Sequence, residues 1–238
     1  MYLNLRFPIL FTKNNMHIFF NGDSNLKGEE LEDRSLSMVN CMVRHFGADH
    51  TDLSLSGAGN DYIYDTTMEW LKNNPKPDLV VLGWTDHERE QWWYDGGMHQ
   101  VNSIRVGMDP MPEQFQKRYD YWRDTVKKSM EHWRVMGYYW HNKIFNMHEY
   151  LKEAGIPHLF FNTFCTFRYM DPDARTDAWD GCYYEPYELY KSYAFWAMEN
   201  NYKEVTPGWW HFEPRAHADW ANMMIKHIEE NKLYDPVR

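Results

Sequence analysis

The chain has 238 residues, 18% of them aromatic, and a formal charge of −10 from 25 basic and 35 acidic side chains. That length suits one large domain with enough apolar side chain to fold without disulfides, and its acidity excludes nucleic acid as the main partner. Three cysteines (Cys41, Cys165 and Cys182) fit neither a disulfide scaffold nor a zinc spacing, and no apolar run reaches the roughly 18 residues of a membrane span.

Residues 1–15 hold an apolar patch broken by Arg6 and Pro8, without a small-residue cleavage site, which argues against a signal peptide. They read as an N-terminal extension, with Met16 as an alternative start directly before the first strand. Residues 16–238 read as one domain, soluble and cytoplasmic. A buried strand is predicted over 17–21. Leu36, Val39, Met42, Val43 and Phe46 follow at helical spacing until Gly47. A second strand is predicted over 52–56, a helix through Ile63, Thr67, Trp70 and Leu71, and the most apolar strand over 78–83. The stretch 113–154 reads as two helices broken near Gly137. A fourth strand (157–162) and helices over 186–200 and 214–232 complete the pattern. Apolar strands alternating with helices predict an α/β fold, a three-layer α/β/α sandwich of flavodoxin-like order around a central parallel sheet. Residues 91–112 and 166–185 fit neither period and read as loop insertions at the strands' C-terminal edge, where such sheets bind ligands.

Four segments carry candidate chemistry. Gly22-Asp23-Ser24 ends the first strand and sets a hydroxyl at the sheet edge, either as a nucleophile or as a helix cap. Ser56-Gly57-Ala58-Gly59-Asn60 offers close backbone amides and one side-chain donor. Gly83-Trp84-Thr85-Asp86 ends the third strand, with Arg89 and Glu90 behind it. Gly208-Trp209-Trp210-His211 precedes the last helix, and His211 is the better general base there, since His217 reads as a packed helix residue.

The order Ser, Gly, polar, His resembles the SGNH (GDSL) hydrolase superfamily over about 16–90 and 205–225. The wording also looks similar to SGNH-like proteins of tailed bacteriophages, which implies the cytoplasm of an infected host. The resemblance implies Ser24 as nucleophile, His211 as base, and an oxyanion hole from Gly57, Thr85 and Asn60. It implies an esterase or acylhydrolase acting on an acyl or acetyl ester, of a small molecule or a carbohydrate, with no cofactor. Asp23, Trp84, Asp86, Trp92, Trp93 and Trp210 are the expected substrate contacts, and Trp179, Tyr183 and Tyr184 supply further aromatic faces. No metal is expected, because His87, His141 and His211 show no ligand spacing. No membrane partner is expected, and the oligomeric state is left open.

Two departures from the family stand out. Thr85 replaces the oxyanion asparagine, with a shorter reach, and Gly208 replaces the aspartate before the histidine. Glu213 is the nearest acid in sequence, with Asp86 and Asp180 as substitutes. The favoured expectation is a Ser–His dyad whose ring is oriented by a backbone carbonyl. The alternative reading is a catalytically degenerate binding or virion-associated module.

Overall fold

The computed structural model describes residues 16–94, 96–102 and 112–234. The extension expected over 1–15 lies outside them, as do Asp95 and 103–111 of the first expected loop. In chain order the elements are β1 (His17–Asn21), α1 (Ser24–Lys27), α2 (Met38–Phe46), β2 (Asp49–Asp52), α3 (Asn60–Asn73) and β3 (Leu79–Trp84). Next come β4 (Glu90–Tyr94), β5 (Gly97–Val101), α4 (Glu113–Lys128), α5 (Met130–Glu153), β6 (His158–Asn162), α6 (Tyr193–Glu199) and α7 (Pro214–Glu230).

The four parallel strands run in the order β2-β1-β3-β6. Successive side chains of a strand point to opposite faces, so Ile18 and Phe20 pack on one side of the sheet and Phe19 on the other. Leu79, Val81, Leu159 and Phe161 join the first pair against Met38 and Met42 of α2, Ala194 of α6 and Trp220 of α7. Val80, Leu82 and Phe160 face Ile63 of α3 and Trp140, Ile144 and Met147 of α5. Two cores on two faces make the three layers expected. Because β1 lies between β2 and β3, its C-terminal end is the switch point beside which open α/β sheets form their crevice.

Several expected boundaries differ, each for a local reason. The second strand is Asp49–Asp52, not 52–56; it is a polar edge strand that pairs on one side only, so apolar patterning does not mark it. Its ladder still continues past Asp52, with the Leu53 and Leu55 amides donating to the Phe20 and Gly22 carbonyls. The 113–154 stretch breaks at Ser129, whose hydroxyl caps α5 by accepting from the His132 amide; Gly137 lies buried within α5. The first expected loop contains the antiparallel β4–β5 hairpin, and 186–200 is a single 3-10 turn followed by α6. Among the described residues, no helix is long and apolar enough to cross a membrane.

Candidate active site

Gly22 lets β1 turn into α1 at close quarters: a Cβ there would sit 2.8 Å from Leu26 Cδ2 and 3.2 Å from the Gly83 carbonyl. Asp23 then caps α1 by accepting from the Asn25 amide at 3.0 Å, so Ser24 is not the cap. The Ser24 side chain instead lies 2.9 Å from Nε2 of His211. The other ring nitrogen, Nδ1, lies 2.7 Å from Oε2 of Glu30. Serine, imidazole and carboxylate thus form one hydrogen-bonded line, with the His211 and Glu30 side chains only 13% and 16% exposed.

Glu30 was not singled out in the sequence. It stands six residues after Ser24, and the backbone folds it back through two left-handed positions: Gly28 (φ 71°) closes α1, and Glu30 itself has φ 64°. A non-glycine residue there costs roughly 1 kcal/mol or more and persists where the surroundings hold it. Thr206 does so, donating its hydroxyl to Glu30 Oε1 at 2.5 Å. This corrects the expectation of a dyad oriented by a carbonyl. The three acids proposed for the role are engaged elsewhere. Glu213 accepts from the Lys203 amide, Asp180 pairs with Lys152, and Asp86 accepts from the Cys165 thiol and lies 3.5 Å from Arg89 Nε.

The loop that presents His211 is tied by Glu204, whose carboxylate accepts from the Gly208 and Trp210 amides. Gly208 at φ 85° and Trp210 at φ 60° supply the turn. Gly208 therefore serves the loop's backbone at the position where the sequence resemblance implies an acid.

The remaining expected site residues divide. Gly57 takes φ 77°, and neither its amide nor that of Ser24 donates a hydrogen bond to another described residue. Thr85 and Asn60 are bonded to each other: the Asn60 side chain accepts from the Thr85 amide at 2.8 Å and donates to the Thr85 carbonyl at 3.2 Å. The Thr85 hydroxyl gives its one proton to Asp23 Oδ2 at 2.7 Å. Asn102, another residue the sequence reading passed over, brings Nδ2 to 4.0 Å from where a Gly57 Cβ would sit.

Asp23 is no substrate contact. It is fully buried, and its Oδ2 also accepts from Thr163 at 2.8 Å and faces Arg89 Nη1 at 3.5 Å. Arg89 donates further to the Ala58 carbonyl, so this one cation joins the first three segments. Trp84 lies wholly in the core against Phe160, and Trp92 is packed by Tyr119, Trp122 and Arg118. Both are corrected from substrate contacts to packing residues because their faces are already covered. Trp179 and Tyr183 are buried too, and Tyr184 lies half-buried against Trp220 and His227. Trp93 is 68% exposed on the hairpin, and Trp210 sits half-buried between Phe164 and Phe195, next in sequence to His211.

Two buried histidines set an acid limit on stability. Burial, aided by the neighbouring His211, pushes His217 down to about 3; burial, aided by His141, pushes His87 down to about 3. Both stay neutral in the fold while the unfolded chain takes up protons near pH 6.5, so their contribution is complete above that pH and is lost as pH falls towards 3. At pH 5.5 the loss is about 1.4 kcal/mol per site. The melting temperature is expected to fall by on the order of 5–10 °C between pH 7.5 and 5.5. Calorimetry across that range checks it, and a flat profile would show that neither ring is held neutral.

No family model matches the chain, and no curated protein matches it. Among solved structures it is similar to TesA (12% identity over 91% of this chain and 99% of that one, TM-score 0.48). It is also similar to a two-domain esterase, CEX, active on acetylated mannans (14% identity, 94% of this chain and 51% of that one, TM-score 0.46). A third is a GDSL-like lipase from Parabacteroides merdae (12% identity, 93% and 97%, TM-score 0.39).

Proposed function

We propose that the protein is a serine hydrolase that cleaves a small acyl or acetyl ester, with Ser24 as nucleophile, His211 as general base and Glu30 as the acid that orients it. The observation that carries this reading is the imidazole of His211 held between the Ser24 hydroxyl and the Glu30 carboxylate at 2.9 and 2.7 Å. As Ser24 Oγ bonds to the ester carbonyl carbon, its proton passes to His211 Nε2. Glu30 stabilises the imidazolium and fixes the Nδ1–H tautomer. The carbonyl electrons collect on oxygen, held by the amides of Ser24 and Gly57 with the Asn102 side chain nearby. Collapse expels the alkoxide, which takes the proton from Nε2. Water then attacks the acyl-serine with the same base and releases the carboxylic acid.

Thr85 enters this reading as support for Asp23, and Asn60 as support for Thr85. Trp210 and Phe212 flank the base in sequence; Phe212 is fully buried, which leaves Trp210 the better placed for contact with the acyl or sugar portion of a substrate. A degenerate binding module loses its motive, since the carboxylate absent at Gly208 has a counterpart in Glu30. Incubation with an alkyl fluorophosphonate is expected to modify the peptide containing Ser24 and to abolish hydrolysis of short-chain nitrophenyl esters. Absence of both labelling and hydrolysis would overturn the proposal.

A further inference from the structure

At the opposite, N-terminal end of β6, three metal-ligating side chains meet away from the Ser24 site. His148 Nδ1 of α5 lies 2.8 Å from His158 Nε2 of β6. One ring nitrogen of each histidine and Cys182 Sγ, from the 166–185 loop, all fall within 4.8 Å of one another. We infer that they form a binding site for a single Zn2+ or similar borderline divalent cation, ligated by His148 Nδ1, His158 Nε2 and the Cys182 thiolate, with water in the fourth position.

The proton inventory of the two rings carries the argument. His158 Nδ1 lies 2.9 Å from the Ile156 carbonyl, which can only accept, so that nitrogen holds the proton and Nε2 holds a lone pair. If the rings merely bonded each other, His148 Nδ1 would be the donor, and with both rings neutral its Nε2 would carry a lone pair. That Nε2 is buried and lies 3.5 Å from Glu149 Oε1, another acceptor, and the Ala178 backbone offers the ring a further one. Lone pair would face lone pair. A cation resolves the conflict: when Nδ1 coordinates, the proton of His148 moves to Nε2 and faces the carboxylate. Each ring then directs its outer N–H at an oxygen, the arrangement that orients metal-binding imidazoles and raises their basicity.

The donor set is also selective. Two imidazoles and a thiolate suit Zn2+ over Mg2+ or Ca2+, which take oxygen ligands. At Zn–N bonds of about 2.0–2.1 Å, the two nitrogens need to part by only about half an ångström from their present spacing. Binding displaces the thiol proton to solvent. The chain around Cys182 already runs beside β6, with the Phe160 amide donating to the Cys182 carbonyl and the Tyr184 amide to that of Phe160. The ion fastens this loop to α5 and to the sheet. Ligands 10 and 24 residues apart in sequence form no recognisable spacing, so only the fold discloses the set.

The test is titration of the full chain, first stripped with a chelator, with Co2+ and then Zn2+. One equivalent of Co2+ is expected to give tetrahedral d–d bands and a thiolate-to-cobalt charge-transfer band, both bleached by Zn2+, and Zn2+ alone is expected to raise the melting temperature. Cys182→Ser is expected to remove the charge-transfer band. Glu149→Ala, at an exposed side chain, is expected to weaken Zn2+ binding by about 10-fold or more with the circular dichroism spectrum unchanged. No charge-transfer band at one equivalent, or a band that survives Cys182→Ser, would overturn the site. Unchanged affinity in Glu149→Ala would overturn the tautomer assignment on which it rests.

Discussion

Replacing Glu30 with glutamine is expected to lower kcat for ester hydrolysis by about 10⁴-fold, the loss seen when a serine-hydrolase triad loses its acid. The substitution keeps the size of the side chain and an acceptor for the Thr206 hydroxyl. It removes the charge that stabilises the imidazolium, and it can present an amide N–H to Nδ1, which selects the wrong tautomer. Glu213→Gln is the matched control: its carboxylate accepts from the Lys203 amide rather than from the ring, so its rate is expected to stay within about two-fold, a change of under 0.5 kcal/mol. Steady-state kinetics on one nitrophenyl ester, with melting temperatures for both variants, separates the cases. Equal rates for Glu30→Gln and wild type would remove Glu30 from the mechanism and restore a dyad.

Asp23→Ala is expected to destabilise the fold by about 3–5 kcal/mol, the range for leaving one partner of a buried ion pair alone. Asp23 is fully buried and carries the α1 cap, two threonine hydroxyls and the Arg89 guanidinium. Removing it leaves the buried Arg89 with the more exposed Asp86 carboxylate as its remaining ionic partner among the described residues. Thr85→Val dissects the cluster more gently, deleting one hydrogen bond to a charged acceptor at a cost of about 1.5–3 kcal/mol. Its rate is expected to change only a few-fold, because the hydroxyl proton already belongs to Asp23. Urea unfolding of both variants, alongside their ester kinetics, checks the pair. A rate loss of about 10²-fold in Thr85→Val at modest cost in stability would instead make that hydroxyl an oxyanion donor.

The fold was legible where apolar runs and helical periods were strong. β1, β3, β6 and α7 lie within a residue or two of their expected spans. β2 escaped because an edge strand with the sequence Asp-His-Thr-Asp has no buried face to pattern it. Ser24 and His211 could be read as a pair because each sits at an element boundary marked by glycine or proline. Glu30 could not, since nothing in a run of surface-type acids announces that two left-handed residues will turn one of them inward. The adjacent acids Glu29 and Glu30 directly after Gly28 were the available signal. The aromatic contacts went astray for a different reason: with so many large rings in one chain, most are consumed by packing, and Trp84 and Trp92 are among them.

The turn at Gly28 and Glu30 has a further consequence. The proposed nucleophile and acid belong to one stretch of seven residues, whereas the proposed base arrives from 187 and 181 positions away. The constellation is therefore split between a local half, set by the geometry of a single turn, and a remote half delivered by one closing loop. Any perturbation that lifts the 204–212 loop breaks both contacts of the imidazole together and withdraws the Thr206 hydroxyl that holds Glu30, leaving only Ser24 in place. Competence then behaves as a single switch rather than as a graded loss, and the C-terminal quarter of the chain holds it.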